Sequence, residues 1–283
     1  MTTRTVRIVT DSAADIPSEL ARELDITIAP LLVHMGEDSY RDGVDISGEE
    51  FYRRLRETRS VTTTSLPTLA SLNEAYRRLT GQGYNVLSIH ISSKLSGTFN
   101  AALVASTADG VTPEAVEVVD SLSLSMGEGW IAVRAAQMAR EGRTLAEVAE
   151  YARSLRSRAR LYGLLESLEY VIRSGRVGRI PGTVGNMLSI KPILTIRPSG
   201  EAQIHERVRT RNKALQRIVQ LVGEAGPLDA LAVMHGDYEE GAAQLAEMLA
   251  PLNPPQPVLV THIGAVLGTH VGPCAVGVCC LTK

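Results

Sequence analysis

The sequence predicts two α/β domains with a ligand site between them. The N-terminal domain is a mostly parallel sheet flanked by helices, and the C-terminal domain is a mixed sheet with helices. Three observations predict this. Over residues 1–160, apolar runs alternate with amphipathic segments of ten or more residues, the pattern of strands joined by crossover helices. Near Leu161 the pattern changes, and the run LYGLLESLEYVIRSGRVGRIPGTVG carries five glycines in a turn-rich stretch. Beyond it, two strand-like runs flank a Pro-Ser-Gly turn, an antiparallel hairpin with no counterpart in the first half. The domains are therefore read as 1–160 and 161–283, in keeping with about 100–200 residues per domain.

The elements follow in order. VRIVT at 6–10 reads as a buried strand, 17–24 as a short helix with Pro17 in its first turn, and 26–34 as a second strand. EEFYRRLRET over 49–58 is helical. So is 67–80, where Leu69, Leu72, Tyr76 and Leu79 recur at helical spacing. A strand over 86–91, a helix over 97–107, a strand over 116–119 and helices over 125–141 and 145–157 complete the first domain. In the second, strands over 190–196 and 202–207 flank the turn at 198–200. A helix over 210–223, a strand over 228–235, a helix over 239–252 and two closing strands follow. No repeat or low-complexity linker separates the domains, so tight packing is expected.

Composition removes several functions. Lys+Arg number 29 against 31 Asp+Glu, a net charge of −2, so no global basic field points to nucleic acid. Aromatics are 4%, with two Phe and one Trp, too few for a base-stacking platform. The three cysteines (Cys274, Cys279, Cys280) all fall in the last ten residues. An odd count so placed is no disulfide framework and fits a reducing compartment. No apolar stretch reaches the roughly 18 residues of a membrane span, and MTTRTVRIVTDS lacks a signal peptide's apolar core. A cytoplasmic protein is expected.

Two hydroxyl-rich loops stand out. One is Val61-Thr62-Thr63-Thr64-Ser65-Leu66-Pro67-Thr68; the other is Ser92-Ser93-Lys94-Leu95-Ser96-Gly97-Thr98, between a strand and a helix. Each also reads as a helix cap. Their hydroxyls exceed what capping needs, however, and the second lies at the carboxyl end of a strand, where open α/β sheets bind ligands. No Asp or Glu occurs over 60–68 or 91–100. Neutral donors at a helix N-terminus suit a carboxylate or a phosphate. Gly127-Glu128-Gly129-Trp130-Ile131-Ala132 formally fits G-x-G-x-x-A but stands apart from its strand and lacks an acidic partner. Nothing fits a Walker A loop, G-x-S-x-G or H-E-x-x-H. His262, His270 and Cys274 lack a fourth ligand, so no metal is expected.

Seven motifs, in one order along the chain, resemble those of the DegV family of bacterial fatty-acid-binding proteins. They are VTDSAAD at 9–15, TSLP at 64–67, SSKLSGT at 92–98, DSLSLSMGEG at 120–129, SGRVG at 174–178, LSIKPIL at 188–194 and GTHVGP at 268–273. The resemblance implies a long-chain fatty acid between the domains, its carboxylate on the loop hydroxyls and its tail in an aliphatic tunnel. By position it carries over Thr64, Ser65 and Ser96 as carboxylate contacts, with Gly97 and Thr98 beside them. Arg176, Arg209 and His270 are carried over as second-domain residues close to the head group, and Arg209, on that rim, is further read as a partner-docking residue. The bound acid is the ligand, and no cofactor is implied.

Family members of this kind serve as the acyl-binding subunit of a bacterial fatty acid kinase, in phospholipid metabolism. They present the acid to a separate ATP-binding partner that makes the acyl phosphate, with no more than transient membrane contact. The chain departs from the family with Leu66 for Gln, Ser174 for Gly and Cys274 for Gly. One or two tunnel side chains decide the chain length and unsaturation of the acid. The competing class is an acyl-ester hydrolase with Ser96 as nucleophile and His270 as base. Against it, the sequence offers no identifiable acid to orient the histidine and no strained elbow around the serine.

Overall fold

A computed structural model describes residues 4–58, 61–177 and 190–283. The first part of the chain holds strands β1 (Val6–Asp11), β2 (Thr27–Ala29), β3 (Leu32–Met35), β4 (Asp38–Arg41), β5 (Thr62–Ser65), β6 (Asn85–His90) and β7 (Val116–Asp120). Its helices are α1 (Ser18–Glu23), α2 (Gly48–Thr58), α3 (Leu69–Gly81), α4 (Thr98–Ser106), α5 (Met126–Arg140) and α6 (Leu145–Leu155). Four strands make a parallel sheet in the order β2-β1-β6-β7. Its middle strands are apolar on both faces because helices cover both. Val9 and Val86 pack under α3 and α4. Ile8, Leu87 and Ile89 pack under α5 and α6.

The strand expected over 26–34 is in fact two. Pro30 lacks the N–H that would continue the ladder, so β2 ends at Ala29 and the chain crosses into a second sheet. That sheet is antiparallel, three-stranded and ordered β4-β3-β5. Two of its strands, DSYR and TTTS, are polar sequences with no apolar alternation to mark them. Pairing to β3 makes them strands.

The second part holds β8 (Ala159–Leu164), β9 (Lys191–Ile196), β10 (Ala202–Val208), β11 (Leu228–His235), β12 (Leu259–His262) and β13 (Val276–Thr282). Its helices are α7 (Glu169–Ser174), α8 (Arg211–Glu224), α9 (Glu239–Leu249) and α10 (Ala265–Val271). The six strands form one mixed sheet, β10-β9-β8-β13-β11-β12, in which only β11 and β12 run parallel. The hairpin expected at 198–200 joins β9 to β10, closed by the Arg197 amide on the Glu201 carbonyl at 2.8 Å. α8 and α9 cover one face of this sheet.

The other face turns to α5, which also packs on β1 and β6 of the parallel sheet. That double contact explains why α5 is apolar nearly all round. Ile131, Ala132 and Val133 are buried alike, and one core runs from Ile8 through Ile131 to Cys279. The G-x-G-x-x-A stretch is the start of this helix. A Cβ on Gly129 would sit 2.7 Å from the Ala14 carbonyl, so close packing is what keeps it glycine. α10 has no counterpart among the expected elements, and the helix expected over 239–252 ends at Leu249 and continues as a 3-10 turn, Ala250–Leu252. Among the described residues no helix is long and apolar enough to cross a membrane.

Candidate functional site

β5, the loop before α4, α7, α10 and the inner face of the mixed sheet surround one cavity of about 380 Å³. Its walls are aliphatic, with Leu161, Leu165, Leu194, Met234, Ile263 and Leu267 among them. No described Asp or Glu lines it, while Lys94 and Arg176 do. Five of the expected contacts, Thr64, Ser65, Ser96, Gly97 and His270, line this one space, and Arg176 stands at its exposed edge.

The first hydroxyl run is an edge strand for half its length, so successive side chains alternate in direction. Thr62 is buried, and Thr64 shares a 2.9 Å hydrogen bond with His270 Nε2. Ser65 is held otherwise: its Oγ meets His34 Nε2 at 2.9 Å, and His34 Nδ1 meets Ser39 Oγ at 2.7 Å. Pro67 precedes α3 instead of opening it. Thr68 is the cap, accepting the Ser71 amide at 3.1 Å.

In the second loop Gly97 is the N-cap of α4 and offers no side chain, so the first-turn amides are not all satisfied within the helix. Ser96 Oγ lies 2.8 Å from Thr98 Oγ1 and accepts the Thr98 amide at 3.3 Å. Thr98 itself is fully buried behind Ser96 and does not line the cavity. Asp120 braces the loop from behind, accepting the Ser93 amide at 3.3 Å and the Leu122 amide at 2.9 Å. Nothing in the sequence linked that acid to the loop, 27 residues away.

His270 is brought in by α10, whose N-terminus is anchored by two distant carboxylates. Asp15 accepts the Gly264 amide at 2.8 Å; Asp42 accepts the Ala265 amide at 3.0 Å. Burial pushes Asp15 up to about 8 and Asp42 up to about 6. Burial, reinforced by the positive charge of Arg176, holds the His270 imidazole down at about 4. It is therefore neutral at pH 7, and its Nδ1 is buried without a partner.

The departures from the family pattern have distinct settings. Leu66 lines the mouth at 39% exposure. Ser174 lines the cavity and donates to the Val171 carbonyl at 3.0 Å. Cys274 has φ +58°, in the left-handed region that favours glycine, the residue the resemblance leads one to expect there. Arg209, expected close to the head group, does not line the cavity. It is exposed on the turn between β10 and α8. The ends of two motifs, Gly178, Leu188 and Ser189, lie outside the described residues.

A nucleophile–base pair needs a Ser96–His270 bond, and each residue has another partner, Thr98 and Thr64. Nor do His262, His270 and Cys274 converge. His262 instead packs against His235, ring centroids 4.3 Å apart and ring planes inclined at 53°, with Glu239 beside them. Nδ1 of His235 accepts the Tyr238 amide at 3.2 Å, so in the neutral ring the proton sits on the other nitrogen.

Residues 5–283 match the family described as "Uncharacterised protein, DegV family". The chain belongs to the DegV family. It is 33% identical over 281 residues to the DegV protein of Bacillus subtilis, covering 97% of this chain and 98% of that one. Among solved structures, a DegV family protein from Thermus thermophilus, reported for its fatty acid binding, superposes with a TM-score of 0.90 at 30% identity, over 99% of this chain and 100% of that one. A stearic acid-binding protein from Eubacterium ventriosum superposes with a TM-score of 0.87 at 26% identity, over 98% of each chain. The expected fold, two α/β units with a parallel and a mixed sheet, is the DegV fold.

Proposed function

We propose that this DegV-family chain binds one long-chain fatty acid, its carboxylate on Thr64, Ser65, Ser96 and the first turn of α4 and its tail among the aliphatic side chains of the cavity. The observation that carries the reading is the cavity itself, aliphatic along most of its wall, free of described carboxylates, and hydroxyl-lined where β5 meets the α4 loop. An acid anion there gains neutral donors and two nearby cations without opposing charge. The tail supplies most of the affinity. About 14 methylenes of a sixteen-carbon acid at ~0.8 kcal/mol each amount to roughly 11 kcal/mol before association costs.

The finer reading, presentation to a separate ATP-binding kinase that forms the acyl phosphate, rests on the family resemblance and on a sequence in which nothing fits a Walker A loop. Arg209 belongs to it as a docking residue. The hydrolase reading finds less support, because Ser96 and His270 are engaged with other partners. Native mass spectrometry of the purified protein, before and after mild organic extraction, tests the binding claim. A mass increment equal to one fatty acid, lost on extraction and restored by added palmitate, is expected. A protein that neither carries nor takes up any acid defeats the proposal.

A further inference from the structure

One residue of the cavity wall has an identity that the fold does not require. β8 and the residue after it line the cavity with Leu161, Gly163, Leu164 and Leu165, and Ala275, Val276 and Gly277 line it at the start of β13. Leu161, Leu165 and Ala275 pack in the core on the cavity side of the sheet, whereas Tyr162, Leu164 and Val276 pack on the opposite side under α8 and α9, so Gly163 alternates onto the cavity side. Gly163 sits opposite Gly277 on one side and opposite Leu194 of β9 on the other. Glycine inside a strand weakens it and marks a bulge, a bend or the close approach of another body. The ladder runs through Gly163 in regular register on both sides, and its φ lies outside the left-handed region. Backbone geometry therefore does not call for glycine.

Packing does not call for it either. A Cβ on Gly277 would lie 3.1 Å from the Tyr162 carbonyl and 3.4 Å from Met234 Cε, so close strand approach keeps that residue small. A Cβ on Gly163 would meet no heavy atom within 4 Å. It would project into open space inside the cavity, between two leucines.

We propose that Gly163 is a specificity-determining residue of the acyl site, its missing side chain setting how long a tail the cavity accepts. This rests on the fatty-acid reading above. The lining passes over five neighbouring strands, from Ala202 on β10 through β9, β8 and β13 to Met234 on β11. At ~4.8 Å between strands that is about 19 Å across. An extended chain with ~1.5 Å bonds advances about 1.3 Å per carbon, so the span suits roughly 15 carbons. β8 is the middle strand of the five. A side chain at 163 therefore stops a long tail part-way while leaving room for a short one.

The test compares wild type with Gly163→Ala, Gly163→Val and Gly163→Leu, measuring affinities for saturated acids of six to eighteen carbons in one titration series. Circular dichroism and melting temperature check the fold of each variant. The expected result is a graded shift: Gly163→Leu loses acids of twelve to eighteen carbons by at least tenfold yet keeps the six- or eight-carbon acid, which ends before the middle strand, within about threefold. Gly163→Val falls between. Should the leucine variant not fold, the alanine and valine variants carry the same ordering. Unchanged palmitate affinity in folded variants overturns the proposal. So does an equal loss at every chain length, which places 163 in the common path of all ligands. Failure of wild type to bind any acid defeats the fatty-acid reading instead, so the two failures are distinguishable.

Discussion

Ser96 and Thr64 each have a neighbouring polar partner already, Thr98 and His270 respectively, yet both hydroxyls line a space with no described carboxylate. A hydroxyl bonded to a bound anion is worth about 1.5–3 kcal/mol. Ser96→Ala and Thr64→Ala are each expected to weaken fatty acid binding roughly tenfold or more by isothermal titration. Unchanged affinity in both removes these residues from the head-group site. His270 gives a second reading of the same point. Its depressed pKa means that the unfolded chain binds more protons than the folded protein between pH 6.5 and about 4. The stability it contributes is whole above pH 6.5 and is lost as pH falls through about 4. NMR titration of the ligand-free protein should place its midpoint well below 6.5, and a bound carboxylate should move that midpoint upward. A midpoint near 6.5 without ligand contradicts the buried, neutral ring.

α10 shows how an element too weak to stand alone can still place a side chain, His270, in the cavity wall. It has seven residues with Gly264 before it, Gly268 within it and Gly272 after it, a composition that disfavours an isolated helix. Its order comes from outside. Asp15 and Asp42 take the amides of Gly264, Ala265 and Val266. Gly268 lets Phe51 and Tyr52 of α2 lie against it, where a Cβ would stand 2.6 Å from the Tyr52 hydroxyl. Asp42→Ala leaves two buried amides without an acceptor, about 1–3 kcal/mol each. Urea denaturation should show a loss of about 2–6 kcal/mol for the two together, and fatty acid affinity should fall as His270 shifts. A variant as stable as wild type shows that Asp42 does not hold the helix.

On the scale of the whole molecule, the cavity is closed by parts that lie far apart in the chain. β5 of the three-stranded sheet and the loop after β6 of the parallel sheet bring the hydroxyls, the mixed sheet brings the wall, and Ser92 Oγ donates to the Gly200 carbonyl at 2.7 Å across 108 residues. Arg209 stands outside this enclosure on an exposed turn. It is a basic residue ahead of α8, where positive charge gains nothing from the helix dipole. Arg209→Ala is therefore expected to leave fatty acid affinity within about threefold, under 1 kcal/mol, while strongly reducing acyl phosphate formation with a cognate kinase. Full activity in the kinase assay, or a collapse of acid binding, excludes Arg209 as a docking residue.

Periodicity and turn chemistry act over a few residues, so the sequence by itself determined most of the strands and helices. The spacing of Leu72, Tyr76 and Leu79 marked α3, and the Pro-Ser-Gly turn marked the β9–β10 hairpin. The two acid-free hydroxyl runs were legible as clustered donors for the same reason, since type and spacing suffice to see donors, and both line the one cavity. Pairing is not local. β4 and β5 are strands only because β3 lies between them, and α10 is a helix only because two acids more than 200 residues away cap it. Which hydroxyl meets His270, which is taken by His34, and that position 163 opens on empty space were decided by the tertiary structure. Those facts depend on side chains that meet across sheets, and a linear pattern holds no distance between them.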